Sequence, residues 1–178
     1  MPLTLSHAVV HVRDLPLMID FYTGVLGFAV TDRGPIAPGG PEIVFMSQDP
    51  GEHHQLAFVP MPRGDGPSAL NHLAFRVSGL SEVREMFARI VADGRGAQPR
   101  PVTHGNTWSI YFADPEKNGI EIFCDTPWHV PQPQGQSWDM SAADVALIDS
   151  TRAAFAAEPG FGSGDSYLNA RTRVSESP

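Results

Sequence analysis

Two histidines and one glutamate have the residue types and the placement to hold a metal ion together. His7 and His72 open two similar segments that begin 65 residues apart. Glu121 lies in the segment Gly119-Ile120-Glu121-Ile122-Phe123, whose alternation predicts a strand with the carboxylate on the face opposite the two isoleucines. Two imidazoles and one carboxylate leave coordination positions open, so this set suits Fe(II) that binds both a substrate and O2, with Mn(II) as an acceptable substitute.

The repeat extends beyond the two histidines. Apolar residues with the i, i+3, i+4, i+7, i+8 spacing of one helical face occur in both halves, again 65 residues apart. They are Met18, Phe21, Tyr22, Val25 and Leu26 in the first half, and Val83, Met86, Phe87, Ile90 and Val91 in the second. The Asp49-Pro50 turn recurs at Asp114-Pro115. Matching histidines, helix faces and turns indicate two related halves.

Each half predicts a βαβββ unit, so we expect an α+β fold. The first half predicts strands near residues 7–12, 28–32, 42–47 and 53–59 and a helix between 14 and 27; the second predicts strands near 70–77, 101–104, 108–113 and 119–124 and a helix at 81–93, which Gly94 stops. Gln55 is the expected counterpart of Glu121, after a shift of one residue. Around a pseudo-twofold axis, these two side chains and the two histidines could converge on one site.

The predicted domain organisation is a domain of residues 1–125, with modules at about 5–60 and 70–125, followed by a C-terminal extension of residues 126–178. Several prolines predict an irregular start to the extension. A short helix from about residue 142 to 157 is expected to carry Val145, Ile148 and Phe155 near one face, and a Gly- and Ser-rich end is expected to fray. These apolar side chains need a surface, which is either a second copy of the chain or its own fold.

The bulk composition excludes several function classes. The formal net charge is −8 over 178 residues, and an acidic chain repels phosphate backbones, so nucleic acid is not an expected partner. No apolar run approaches the ~20 residues that span a bilayer, so no membrane association is expected. The N-terminus lacks a signal-peptide pattern, and the single Cys124 cannot form an intrachain disulfide. The expected location is therefore the reducing cytoplasm.

Over about residues 5–125 the sequence resembles the vicinal oxygen chelate superfamily, which includes glyoxalase I, bleomycin and fosfomycin resistance proteins, and type I extradiol ring-cleaving dioxygenases. The segment from Leu5-Ser6-His7 to Asp14-Leu15, with Phe21-Tyr22 and Leu26-Gly27, is similar to its opening motif. Asp114-Pro115 through Asn118-Gly119-Ile120-Glu121 is similar to its closing motif. The resemblance implies paired βαβββ modules around a metal, with His7, His72 and Glu121 on the ligand positions.

Within that superfamily, three further segments resemble extradiol dioxygenases. His53-His54-Gln55-Leu56-Ala57-Phe58 is similar to the segment with a catalytic histidine, which implies that role for His54 beside the O2 position; His53 is expected to point the opposite way. His104-Gly105-Asn106 is similar to the loop whose histidine contacts the diol, and Tyr111 falls on the active-site tyrosine. The gap from His104 to Tyr111 is about two residues shorter than in those enzymes, which affects the placement of His104 and Asn106 most.

The resemblance implies an Fe(II)-dependent extradiol dioxygenase that acts on a small aromatic vicinal diol and O2, and that forms a homodimer. Because no Arg or Lys could be placed in the site, a neutral or weakly charged diol is expected. One alternative is a glyoxalase I-like isomerase, which would need a second carboxylate where Gln55 stands. Another is a non-catalytic ligand-binding or resistance protein of the same superfamily.

Overall fold

The computed structural model describes residues 3–62 and 69–165, and these form two compact units. Of these residues, the first unit comprises those within Met1–Asn71, Arg95–Ala97 and Asp114–Asn118, and the second comprises the other described residues. The elements in chain order are β1 (Ala8–Val12), α1 (Leu15–Gly24), β2 (Ala29–Pro35), β3 (Glu42–Ser47), β4 (Leu56–Pro60), β5 (Leu73–Arg76), α2 (Leu80–Asp93), β6 (Ala97–Thr103), β7 (Thr107–Ala113), β8 (Gly119–Asp125), β9 (Trp128–His129), α3 (Asp144–Phe155) and β10 (Gly162–Ser163).

The first unit is a four-stranded sheet in the order β1-β4-β3-β2, in which β1 and β4 run parallel and the other neighbours run antiparallel. Asp14 caps α1 by accepting a hydrogen bond from the Leu17 amide. The helix buries Met18, Phe21 and Tyr22, and the Tyr22 ring meets the Phe58 ring of β4 edge to face at 4.8 Å between centroids. The helix face predicted by the apolar spacing is therefore the one that packs on the sheet.

The second unit contains a sheet of the same form, in the order β5-β8-β7-β6, with β5 and β8 parallel. The buried apolar residues of β7 and β8 occupy alternate positions along the strands; they are Trp108, Ile110, Phe112, Ile120, Ile122 and Cys124. Helix α2 buries Leu80, Val83 and Ile90, and Gly94 ends it in the left-handed conformation, as expected. Because side chains alternate along a strand, the residues between these apolar positions point to the opposite face.

The paired βαβββ architecture predicted from the repeat is confirmed, and the differences lie at element ends. The structure starts β6 at Ala97, whereas the sequence predicted a strand from residue 101. Pro99 and Pro101 concealed this strand, since proline is tolerated mainly in edge strands, and β6 is the edge of its sheet. His53 and His54 precede β4 instead of lying within it. Among the described residues, no helix is long and apolar enough to cross a membrane.

The C-terminal extension packs within the second unit. Trp108 Nε1 donates to Thr151 Oγ1 of α3 and Trp138 Nε1 donates to the Ser109 carbonyl, both at 3.0 Å. The helix buries Leu147, Thr151 and Phe155. The predicted helix was correct, but Val145 was assigned to the wrong face, because it is 72% exposed. The chain's own second unit therefore supplies a surface for the extension.

Candidate active site

His72 and Glu121 are brought together at one end of the second sheet. His72 immediately precedes β5, and Glu121 on β8 is the register partner of Ala74. The two side chains approach to 3.2 Å between His72 Nε2 and Glu121 Oε2, and Glu121 is only 8% exposed. Two ligand atoms about 2.1 Å from one ion, at right angles, lie roughly 3.0 Å apart. The donor types suit a metal ion, and their separation is that of an ion pair and also of two ligands on one ion. As an ion-pair partner, His72 also compensates for the burial of the Glu121 carboxylate.

Tyr111 on β7 lies directly across the antiparallel ladder from Glu121. Its hydroxyl is 2.8 Å from His104 Nε2. Burial raises the pKa of Tyr111 most, the hydrogen bond and negative charge of Glu121 raise it further, and the positive charge of Arg100 opposes them. Tyr111 is therefore a neutral phenol at physiological pH, with a proton to share in a hydrogen bond.

The ring of His104 has polar partners on both nitrogens. Its Nδ1 meets the main-chain carbonyl of Gln134, which can only accept a hydrogen bond, so Nδ1 carries the proton in this arrangement. In the neutral ring, Nε2 is then an acceptor, and Tyr111 donates to it. Polar side chains thus follow one another from His104 through Tyr111 and Glu121 to His72. Because the hydroxyl of Tyr111 has one proton and donates it to His104, Glu121 acts on Tyr111 in this arrangement through its negative charge.

Asn106 lies next to this chain but is engaged elsewhere. Its Oδ1 accepts from the Val130 amide, and its carbonyl accepts from the Thr126 amide at 2.8 Å. The side chain thus fastens the loop after β6 to the start of the extension. The role in diol binding that the resemblance implied for Asn106 stays a prediction.

In the first unit, His7 lies beside His54. Their ring centroids are 4.3 Å apart, and the Phe45 ring covers His54 at 4.9 Å. His53 is exposed, but it does not point away from His54, because the two Nδ1 atoms are 2.9 Å apart. The pKa of His54 is lowered by partial burial first and then by the nearby His7 and His53. His54 is therefore a neutral imidazole at pH 7.

The three predicted metal ligands are divided between the units, with His7 in the first and His72 and Glu121 in the second. Within residues 3–62 and 69–165, no group of three or more His, Cys, Asp or Glu side chains has the arrangement of a complete metal site. The set of three thus stays a prediction, and its best-supported part is the His72–Glu121 pair.

The match of Gln55 with Glu121 was wrong. Glu121 is the partner of Ala74 on β5 and of Tyr111 on β7. In the first sheet, β1, β3 and β4 correspond to β5, β7 and β8. The residue of β4 that occupies the position of Glu121 is Ala57, which pairs with Val9 on β1 and Phe45 on β3. The side chain of Gln55 instead turns back, and its Oε1 accepts from the Gln48 amide at 2.9 Å.

Two features of the site were missed by sequence reasoning. Arg100 acts on Tyr111, and it escaped notice because the prolines on either side of it hid β6. Alternation along residues 97–103 is the signal that could have revealed it. The carbonyl of Gln134 accepts a hydrogen bond from the His104 ring, and Gln134 lies 30 residues further along the chain. No local sequence pattern predicts a contact at that separation.

Comparisons with known proteins agree with this description. The sequence profile of a family described as "Glyoxalase/Bleomycin resistance protein/Dioxygenase superfamily" matches residues 4–122. Biphenyl-2,3-diol 1,2-dioxygenase 3 of Rhodococcus globerulus is 32% identical over 68% of this chain and 63% of its own length. Catechol-2,3-dioxygenase of Bacillus subtilis (strain 168) is 27% identical over 69% of this chain and 42% of its own. The chain thus spans less than two thirds of the length of these relatives.

Solved structures share the fold. The fosfomycin resistance protein FosX from Listeria monocytogenes, complexed with Mn(II) and sulfate, superposes with a TM-score of 0.56 at 22% identity, over 71% of this chain and 95% of that one. A glyoxylase/bleomycin resistance protein/dioxygenase domain from Frankia sp. EAN1pec gives a TM-score of 0.60 at 20% identity, over 71% and 94%. At this level of identity, the likeness concerns the fold alone.

Proposed function

Because this chain belongs to the Glyoxalase/Bleomycin resistance protein/Dioxygenase superfamily, we propose that it is an Fe(II)-dependent extradiol dioxygenase, which inserts O2 into an aromatic vicinal diol and opens the ring. The observation that supports this proposal best is the Tyr111 hydroxyl, which lies between His104 Nε2 and the carboxylate of Glu121. A diol must lose a proton when it binds a cation through both oxygens, and this arrangement provides a place for that proton.

His7, His72 and Glu121 would hold the iron. When bound, the iron would gather the diol and O2 on adjacent positions, which removes an entropic barrier to their reaction. Mn(II) is an acceptable substitute, since it accepts the same nitrogen and oxygen ligands, and the related fold of FosX is known with Mn(II).

The residues of the second unit would move the first proton. One diol hydroxyl gives its proton to the oxygen of Tyr111, while the proton of Tyr111 passes to Nε2 of His104. His104 becomes an imidazolium, and its Nδ1–H stays on the Gln134 carbonyl, so the ring does not have to turn. The raised pKa of Tyr111 ensures that it enters this step protonated.

His54 would act in the oxygen half of the reaction. A neutral imidazole can stabilise the negative charge that develops as O2 is reduced, and it can exchange a proton with the intermediate that follows. The lowered pKa of His54 keeps it neutral before that step. Its packing against Phe45 and His7 limits the orientations of the ring.

The substrate class is an apolar catechol, such as catechol itself or an alkyl- or aryl-catechol. The names of the relatives, which specify biphenyl-2,3-diol and catechol, support this class. Contrary to the expectation from the sequence, one cation is near the site, because Arg100 is close enough to Tyr111 to lower its pKa. Arg76 is already engaged, by Asp125 at 3.2 Å and over the Phe123 ring.

The test of this function is anaerobic loading of the full chain with Fe(II), followed by O2 and a panel of diols. We expect O2 uptake and a coloured semialdehyde product with catechol, 3-methylcatechol or 2,3-dihydroxybiphenyl. A preference for protocatechuate would mean that the substrate is an anionic diol and that Arg100 binds its carboxylate. No O2 uptake with any diol, with Fe(II) or Mn(II), would overturn the proposal in favour of a binding or resistance protein.

A glyoxalase I-like isomerase is less well supported. The position equivalent to Glu121 holds Ala57, which offers no ligand. Gln55, the residue that the sequence comparison favoured for that role, is hydrogen-bonded to the Gln48 amide.

We also propose that the chain forms a homodimer. This proposal rests on the resemblance alone, because the apolar side chains of the extension pack within the second unit and do not require a second copy of the chain. Light scattering of the full chain tests this: a mass near 19.3 kDa would refute it.

A further inference from the structure

We propose that Gln132, in the C-terminal extension, is a positioning residue that holds the His104 ring ready to receive the proton of Tyr111. The catalytic part of this inference rests on the proposed function, whereas the effect on the ring can be measured without any activity.

The side chain of Gln132 forms hydrogen bonds with both His104 and Gln134, the two residues whose contact orients the His104 ring. Gln132 Nε2 donates to the main-chain carbonyl of His104 at 2.7 Å. Its Oε1 accepts from the Gln134 amide at 3.0 Å. The Gln134 carbonyl then receives Nδ1 of the His104 ring. Gln132 therefore closes a loop of hydrogen bonds that fixes the backbone of His104 relative to the carbonyl that orients its ring.

The surrounding chain keeps this loop in place. Gly105 has a φ of +77°, and a Cβ at that position would lie 2.7 Å from Val130 Cγ2 and 3.2 Å from Phe155 Cγ. The turn after His104 is thus packed directly beneath the extension. Thr103 and Gln136 exchange two main-chain hydrogen bonds, at 2.7 and 3.0 Å. The extension thus contacts residues 103–105 through Val130, Gln132, Gln134 and Gln136.

The consequence concerns which nitrogen of His104 carries the proton. A neutral imidazole has one N–H, and the hydrogen bond at one nitrogen decides the role of the other. With the Gln134 carbonyl at Nδ1, Nε2 presents a lone pair to Tyr111. If that carbonyl moved away, the proton could sit on Nε2 instead, and a ring in that form cannot take the proton of Tyr111. Gln132 thereby selects the competent form of the ring.

The direct test is the tautomer of His104, read from long-range ¹H–¹⁵N correlation spectra of the full chain without paramagnetic metal. We expect the Nδ1–H form in the wild type and a mixture, or the Nε2–H form, in Gln132→Glu, which loses the amide donor. Gln132→Met, which keeps the length without polar atoms, provides the same test if the added charge prevents folding. Gln136→Glu is the matched control, since the bonds of Gln136 to Thr103 are main-chain. A wild type in the Nε2–H form, or variants that keep the Nδ1–H form, would overturn the proposal.

Kinetics separate positioning from simple stabilisation. We expect Gln132→Glu to lower kcat about tenfold, with KM within roughly twofold, as for a small displacement of a catalytic group. In a His104→Ala background, the same change should cost no further kcat, although it should lower Tm equally in both backgrounds. An equal kcat loss in both backgrounds would show a structural role only and would contradict the proposal. If the wild type cleaves no diol, the proposed function fails, but the spectra still test Gln132.

Discussion

The two sheets have the same strand order and the same pairing, but they carry different chemistry at matching positions. In the second sheet, Tyr111 and Glu121 face each other across the ladder. The matching pair in the first sheet is Phe45 and Ala57. The candidate reactive groups of the first half lie outside its strands, with His7 before β1 and His54 before β4. The second half thus places Tyr111 and Glu121 on strands and His72 and His104 beside them, whereas both candidate groups of the first half lie on segments that flank its strands.

The physical reason for the difference is the cost of burying charge. Glu121 is tolerated at 8% exposure because His72 and Tyr111 both interact with it. A lone carboxylate at Ala57, which is fully buried between Val9 and Phe45, would have no such support. The comparison therefore predicts that the two sheets respond unequally to substitution.

The largest expected effect is at Glu121. Glu121→Gln should remove iron and lower turnover on the order of 1000-fold, since a ligand that is also a charge partner is lost. Iron content and O2 uptake measure this. The matched control is Asp125→Asn, on the same strand and the same face but exposed, which should retain iron. If Glu121→Gln still binds iron fully, the ligand assignment is wrong, and if it still binds diols without iron, the chain is a sequestering protein.

Stability should depend strongly on the extension that only the second unit carries. Phe155 is fully buried, so Phe155→Ala should lower the free energy of unfolding by about 3 kcal/mol. Val145→Ala, in the same helix at 72% exposure, should change it by less than about 0.5 kcal/mol. Urea unfolding of both variants measures the difference. Equal stabilities would mean that the extension does not dock as described.

His54 tests whether the first half takes part in chemistry at all. His54→Ala should lower kcat at least about 100-fold and leave iron content and diol binding nearly unchanged, as for an acid–base group. His11→Ala, on β1, is the control and should behave like the wild type. Unchanged kcat in His54→Ala would show that the reactive groups belong to the second half only.

Tyr111→Phe should have the smallest effect. It keeps the ring and removes the hydroxyl that donates to His104 and lies near Glu121, so we expect kcat to fall about tenfold with iron retained. The reciprocal change, Phe45→Tyr at the matching position of the first sheet, should not raise activity. A loss in Tyr111→Phe as large as that in Glu121→Gln would mean that the hydroxyl also supports the metal ligands.

The architecture could be predicted because it is encoded locally and twice. The repeated apolar spacing specified both helices, and the paired histidines specified the start of each half. The pairing of residues between neighbouring strands could not be predicted in the same way. The sequence match assumed that the connection from the Asp-Pro turn to the last strand is one residue shorter in the first half, which pointed to Gln55. In the structure this connection is one residue longer, and the counterpart of Glu121 is Ala57.

Part of the candidate site was also predictable, and the rest depends on distant contacts. Tyr111, Glu121, His72 and His104 were candidates from the sequence, and the structure brings these four side chains together, whereas their roles stay predictions. The partners that orient them come from elsewhere in the chain. Arg100 was concealed between prolines, and Gln132 and Gln134 lie in a segment whose composition indicates only an irregular loop.

The prolines of β6 have a consequence for how the protein behaves at high concentration. An edge strand offers unpaired amides and carbonyls to the strands of other molecules, and long, regular edges promote aggregation. In β6, Pro99 and Pro101 remove two amide donors from a strand of seven residues, and the exposed Arg100 between them adds a charge that another β-strand would have to bury. The same short segment that places a cation near Tyr111 therefore also makes this edge a poor template for intermolecular strand pairing.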